Sequence, residues 1–144
     1  MAGFVATATI EIDAPPEVVW RTLTDPGAIK RFMFGTTVET NWQPGSPIVW
    51  KGEYGGKSYV DKGEVVAVDP PRRLEVTHFS PLSGQDDVPD NYHTLTYILE
   101  ISDGGTRLTL TQDNNESQEA ADHSQANWEQ MLSGVKTVAE AGRV

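Results

Sequence analysis

Apolar and polar residues alternate from Phe4 to Ile12. Phe4, Ala6, Ala8, Ile10 and Ile12 fall on one side, and Val5, Thr7, Thr9 and Glu11 on the other. A period of two is the signature of a half-buried strand. Asp13-Ala14-Pro15-Pro16 ends it, because proline has no N–H for a ladder and suits the first turn of a helix instead. The pattern then predicts a helix over 17–23, with Val18, Val19 and Leu23 on its inner side and Trp20 nearby. A second short helix follows over 25–31, with Thr24 as its cap, and runs into the apolar cluster Phe32-Met33-Phe34. Six further strands are predicted over 36–42, 48–54, 57–68, 73–79, 92–101 and 106–113. Turn chemistry separates them at Gln43-Pro44-Gly45, Gly55-Gly56, Asp69-Pro70-Pro71 and Asp103-Gly104-Gly105. The exception is a long polar connection over 80–90.

The period changes at the end of the chain. Over 117–141 the apolar positions are Ala120, Ala121, Trp128, Met131, Leu132, Val135, Val138 and Ala139, the three-and-four spacing of one helix face. Asn115 and Gln118, three apart, read as its capping box. Such a helix of about 24 residues spans about 36 Å, enough to cross six or seven strands at about 4.8 Å each. Its stripe has to be buried on a sheet face. The element order describes a single α+β domain over residues 1–144: a meander of six to seven antiparallel strands, two short helices after the first strand, and a long final helix.

Bulk composition narrows the function. Acidic residues outnumber basic ones by 21 to 11, and a net charge of −10 disfavours nucleic acid as a partner. No apolar run is long enough to insert in a membrane, the first residues do not have the form of a secretion signal, and cysteine is absent. A cytoplasmic location is the expectation. Without cysteine there is no thiol nucleophile and no thiolate metal site. His78, His93 and His123 lack metal-binding spacing, so neither a metal nor another cofactor is expected. No nucleophile elbow and no phosphate-binding glycine loop occurs. Glu53, Glu64, Glu75 and Glu100 sit in strands where a solvent-facing position is the default. His78 shares the face of Leu74 and Val76 and is the candidate acid or base if the domain is an enzyme.

Several local motifs occur in a familiar order. Ile10-Glu11-Ile12-Asp13-Ala14-Pro15-Pro16-Glu17-Val18-Val19-Trp20 precedes Leu23-Thr24-Asp25-Pro26. Pro44-Gly45, Gly63-Glu64-Val65 and Pro70-Pro71-Arg72-Arg73-Leu74 follow, and then Asn127-Trp128 with Leu132. Over almost its whole length the chain resembles the START/Bet v 1-like (SRPBCC) superfamily. Within it, the chain resembles the family named after the C-terminal domain of the activator of Hsp90 ATPase. Asn127 stands where that family usually has glycine. The resemblance implies a helix-grip fold, a curved sheet wrapped on the final helix with an elongated apolar cavity between them. It also implies functions that range over lipid and hormone binding, polyketide cyclisation and oxygenase subunits. The co-chaperone role belongs to larger proteins with an added N-terminal domain, so an Hsp90-type partner is not expected.

On that fold, aromatic residues are the ligand candidates: Phe32, Phe34, Trp50, Tyr54, Tyr97 and Trp128. The first expectation is a hydrophobic, aromatic or lipid-like small molecule held between sheet and helix. Trp50, Tyr97 and Trp128 would contact it, with Trp128 at the centre of the helix's inner face. The entrance would lie at Phe32-Met33-Phe34, and the 80–90 loop would serve as a lid. Alternatives are a cyclase- or hydrolase-type enzyme using His78 in the same cavity and a co-chaperone-like interaction domain. A homodimer through an edge strand or sheet face is compatible with each.

Overall fold

The computed structural model describes residues 3–142, apart from the side chains of Tyr54 and Leu82. Strand β1 (Phe4–Ile12) leads into α1 (Pro16–Thr24) and α2 (Pro26–Phe32), followed by β2 (Thr37–Glu39), β3 (Pro47–Tyr54), β4 (Lys57–Asp69), β5 (Arg73–His78), β6 (His93–Ser102), β7 (Gly105–Asn115) and α3 (Gln118–Ala141). The seven strands form one antiparallel sheet in the order β1-β7-β6-β5-β4-β3-β2. This is the α+β helix-grip arrangement. The sheet curves about α3, whose buried positions are Ala121, Met131, Leu132, Val135 and Ala139. No described helix is long and apolar enough to cross a membrane.

The core is one cluster. Val19 and Leu23 of α1, Ile29 and Phe32 of α2, and the inward residues of every strand but β2's ends meet the α3 stripe. Leu108 and Leu110 on β7 and Val135 on α3 expose nothing. Helices α2 and α3 approach closely at Gly134. A Cβ added there would lie 3.2 Å from Cβ of Phe32 and 3.3 Å from its carbonyl oxygen, so the absent side chain lets α2 lie on α3. Asn127, the position singled out in the sequence, is exposed.

Several local expectations are corrected by tertiary contacts. Asp25, not Thr24, caps α2: its carboxylate accepts from Ala28 N at 2.8 Å, while the Thr24 hydroxyl donates to Trp20 O. Ser117 caps α3 by accepting from Ala120 N. Asn115 belongs to β7 instead, buried, with its amide donating to Phe4 O and Gln112 O. Phe4, at the edge of the sheet, is exposed, and β7 carries an extra residue opposite the Phe4–Ala6 step of β1. The strand expected over 36–42 is only three residues long. Trp42 adopts φ 57°, a left-handed conformation that cannot continue a strand.

Strand β4 is the pivot of the curvature, paired with β3 along its first part and with β5 beyond Gly63. A Cβ on Gly63 would lie 1.8 Å from the Thr77 carbonyl oxygen. No neighbouring side chain can relieve a clash with backbone. Gly63→Ala is expected to destabilise the domain by about 3 kcal/mol or more, at the upper end of overpacking effects. Urea denaturation followed by circular dichroism measures it, and a midpoint within error of wild type would show that β5 can move aside.

Candidate ligand-binding groove

The α2–β2 turn, the β3–β4 hairpin and the first half of α3 converge on a depression of about 290 Å³. Met33, Phe34, Thr36, Tyr59, Gln112, Ser124, Asn127, Trp128 and Met131 line it. Each arrives by a separate local rule. Gln112 continues the inward face of Leu108 and Leu110, and Trp128 the α3 stripe. The Trp128 indole N–H donates to Gln112 Oε1 at 3.1 Å and ties helix to sheet. On the other side the Thr36 hydroxyl lies 2.6 Å from Tyr59 OH and 2.7 Å from Met33 O. Tyr59 fits because Gly52 faces it: a Cβ on Gly52 would meet the tyrosine hydroxyl at 2.6 Å.

The rim residue Phe34 is unusual on two counts. It has φ 56°, a left-handed conformation that costs an aromatic residue about 1–2 kcal/mol, and its side chain is 73% exposed. Gly35 N donates to Lys30 O and closes the turn around it. Neither the strain nor the exposure is offset by burial within the chain.

Behind this mouth the interior is filled. A void of only about 20 Å³ remains among Leu23, Ile29, Phe32, Met33, Trp42, Ile48, Trp50, Leu74, Val76 and Tyr97. Phe32, Trp50 and Tyr97 are thus buried core residues around a space about the size of one water. Burial pushes the Tyr97 phenol far above its ordinary range, so it stays neutral. Met33 lines both spaces, and its flexible thioether chain forms part of the wall between mouth and void. Of the aromatic candidates, Phe34 and Trp128 reach the mouth, while the Tyr54 side chain lies outside the described residues. Trp128 lies near the middle of α3 and is half-buried, while Leu132 and Val135, further along, are fully buried. Met33 lies in the expected entrance, whereas Thr36 and Gln112 were missed, although parity with Leu108 and Leu110 could have found Gln112.

His78 points inward, as its parity with Leu74 and Val76 required. Its ring meets Trp50 edge-on at 5.0 Å between centroids, and Nε2 lies 3.0 Å from Asp61 Oδ2. Asp61 did not stand out in the sequence. It is inward because β3 pairs it with Trp50, among the inward residues Tyr59, Gly63 and Val65. Asp61 Oδ1 and His78 Nδ1 are buried and have no hydrogen-bond partner. Leaving such an atom unpaired costs about 1–3 kcal/mol. Among the described residues, no group of three His, Cys, Asp or Glu side chains could hold a metal ion.

The 80–90 loop does not line the mouth. It forms short 3-10 turns at Pro81–Ser83 and Pro89–Asn91 and is tied to β4 by the Lys62–Asp87 ion pair. Tyr92 stacks on Phe79 and donates its hydroxyl to Asp87 Oδ1 at 2.6 Å. Ser83 and Gln85 line a different depression, with His93 and Asn114.

A curved antiparallel sheet gripping one long helix, with two short helices after the first strand, defines the START/Bet v 1-like class. The chain belongs to the family of activator of Hsp90 ATPase homolog 1-like proteins, whose family model matches residues 13–140. Protein ChR145 from Cytophaga hutchinsonii is 45% identical, with 98% of this chain and 97% of that one covered and a TM-score of 0.84. Two less similar structures share the fold. MLL2253 from Mesorhizobium loti is 21% identical over 98% of this chain and 100% of its own, with a TM-score of 0.79. The Aha1 dimer from Colwellia psychrerythraea is 20% identical over 98% and 99%, with a TM-score of 0.74. No curated protein matches the chain.

The loop's anchorage has a defined pH response. Hydrogen bonds from Lys62 and then Tyr92 hold the exposed Asp87 carboxyl below its ordinary range. A lowered carboxyl pKa contributes stability above the unfolded-state value and loses it as pH falls through the folded-state value. Amide exchange at Asn91 and Tyr92 is therefore expected to stay slow from neutrality into the ordinary carboxylate range and to accelerate only at more acidic pH. In Asp87→Asn it should be fast at all these values. Equal exchange in the two proteins at neutral pH would show that the ion pair does not hold the loop.

Proposed function

We propose that this domain binds a small apolar or aromatic molecule in the groove between α3 and the sheet, entering between Phe34 and Trp128. The observation that carries this reading is Phe34, an aromatic ring held exposed in a strained left-handed turn on the rim of an apolar mouth. A ligand in the mouth covers that ring and recovers the apolar surface that the free protein leaves in water. The depression of about 290 Å³ lies at the small end of ligand sites, which run from roughly 300 to 1,000 Å³. Displacement of Met33 would join it to the inner void and bring Trp50 and Tyr97 within reach of a longer molecule. In this reading Gln112 and Tyr59 supply polar contacts at the rim.

The Colwellia relative is a dimer in its solution structure, which supports self-association as a further proposal for this chain. Sedimentation equilibrium tests it, and a monomer at all accessible concentrations would count against it.

The binding reading is tested with N-phenyl-1-naphthylamine, a neutral dye that brightens in apolar sites. Wild type is expected to bind it saturably. Phe34→Ser and Trp128→Ala should each weaken binding by about tenfold or more, while circular dichroism stays that of a folded domain. Unchanged affinity in both folded variants would place the dye elsewhere. If Trp128→Ala unfolds, Trp128 is core and Phe34→Ser alone decides, since its exposed ring contributes little to folding.

A further inference from the structure

Asp61 and His78 form a polar island on the apolar inner face of the sheet. On β4 the residues Tyr59 and Asp61 are successive inward positions, as are Val76 and His78 on β5. Pairing carries the same face from Val76 to Leu95 and from Leu95 to Gln112. Tyr59 and Gln112 both line the mouth; Asp61 follows Tyr59 on β4 and His78 lies next to it on β5, on the same sheet face, without lining the mouth themselves. The side chains retain 15% and 18% exposure, although the two unpaired atoms expose essentially none.

The chemistry of the pair defines what it lacks. A carboxylate only accepts, so the imidazole proton sits on Nε2 and is donated to Asp61 Oδ2. In the neutral ring Nδ1 is then an acceptor, and Asp61 Oδ1 is a second one. Neither has a donor. The neighbouring residue across the strand pair, His93, is engaged elsewhere, its Nδ1 2.8 Å from Asp113 O. Lys62, next in sequence to Asp61, pairs with Asp87 in the loop. Buried polar groups in folded proteins are ordinarily satisfied, and two unpartnered buried atoms on neighbouring side chains do not serve stability.

We infer that Asp61 and His78 are the polar anchor of the groove, accepting a hydroxyl or N–H from a ligand whose remaining body is apolar or aromatic. This rests on the groove-binding reading and adds the ligand's hydrogen-bonding class to it. The His78 ring turns on its side chain to present Nδ1, with the edge of Trp50 beside it to pack on the ligand body. Asp61 positions the ring and fixes its tautomer.

The test compares 2-naphthol with 2-methylnaphthalene, which match in size and differ in the donor, by displacement of N-phenyl-1-naphthylamine. Wild type is expected to prefer the naphthol by about tenfold, the effect of one hydrogen bond to a waiting acceptor. The double variant Asp61→Leu/His78→Phe should lose that preference and keep its affinity for 2-methylnaphthalene. Its Tm should equal or exceed that of wild type, because apolar replacement removes both bare acceptors. The same preference in wild type and variant, or none in wild type, overturns the anchor while the groove reading stands. Binding of neither compound to wild type overturns both. If the double variant does not fold, the smaller replacement Asp61→Ala/His78→Leu, which also removes both acceptors, makes the same comparison, and a retained preference there overturns the anchor.

Discussion

Everything in this domain depends on burying the apolar stripe of α3. Leu132, Val135 and Ala139 are enclosed by β1, α1 and α2, and the approach is close because Gly134 presents no side chain to Phe32. A two-layer structure has no second face on which to hide such a stripe. The sheet therefore curves toward the helix, and β4 takes up the change of direction through its irregular pairing between Val65 and Ala67 and the bare backbone of Gly63. The order of strands and the short helices then follow as the way to close both ends of the arrangement.

That packing is tight at the α1 and α2 end of α3 and looser toward its N-terminal half. Phe32, Trp50 and Tyr97 fill the space near α2 almost completely. Along the half of α3 that contains Trp128, side-chain hydrogen bonds from Trp128 to Gln112 and from Ser124 to Asn115 join it to the sheet, and a depression opens beside them. Two features of the sheet's inner side do not serve stability. Phe34 is strained and exposed, and on the same sheet face one buried side-chain atom each of Asp61 and His78 is unpaired. Proteins tolerate such local costs at places that do something other than fold.

The sequence by itself determined the element order, the helix-grip class and the inward direction of His78, because these follow from periods of two and 3.6 that each segment carries alone. Of the aromatic residues the resemblance singled out, the structure places Phe34 and Trp128 on the same depression. Only the tertiary structure decided which aromatic residues face open space and which fill it. Trp50 and Phe34 look alike as apolar positions, yet one is sealed by Tyr97 and Val76 and the other stands in water. Asp61 was invisible for a related reason. The inward face of β4 reads Tyr59, Asp61, Gly63 and Val65, while Val60 and Val66 point outward and blur the alternation. Its partner Trp50 is eleven residues away across a hairpin and His78 seventeen residues on, and no local pattern encodes that meeting. Register, bulges and the direction of a single strand decide it, and those are properties of the whole sheet.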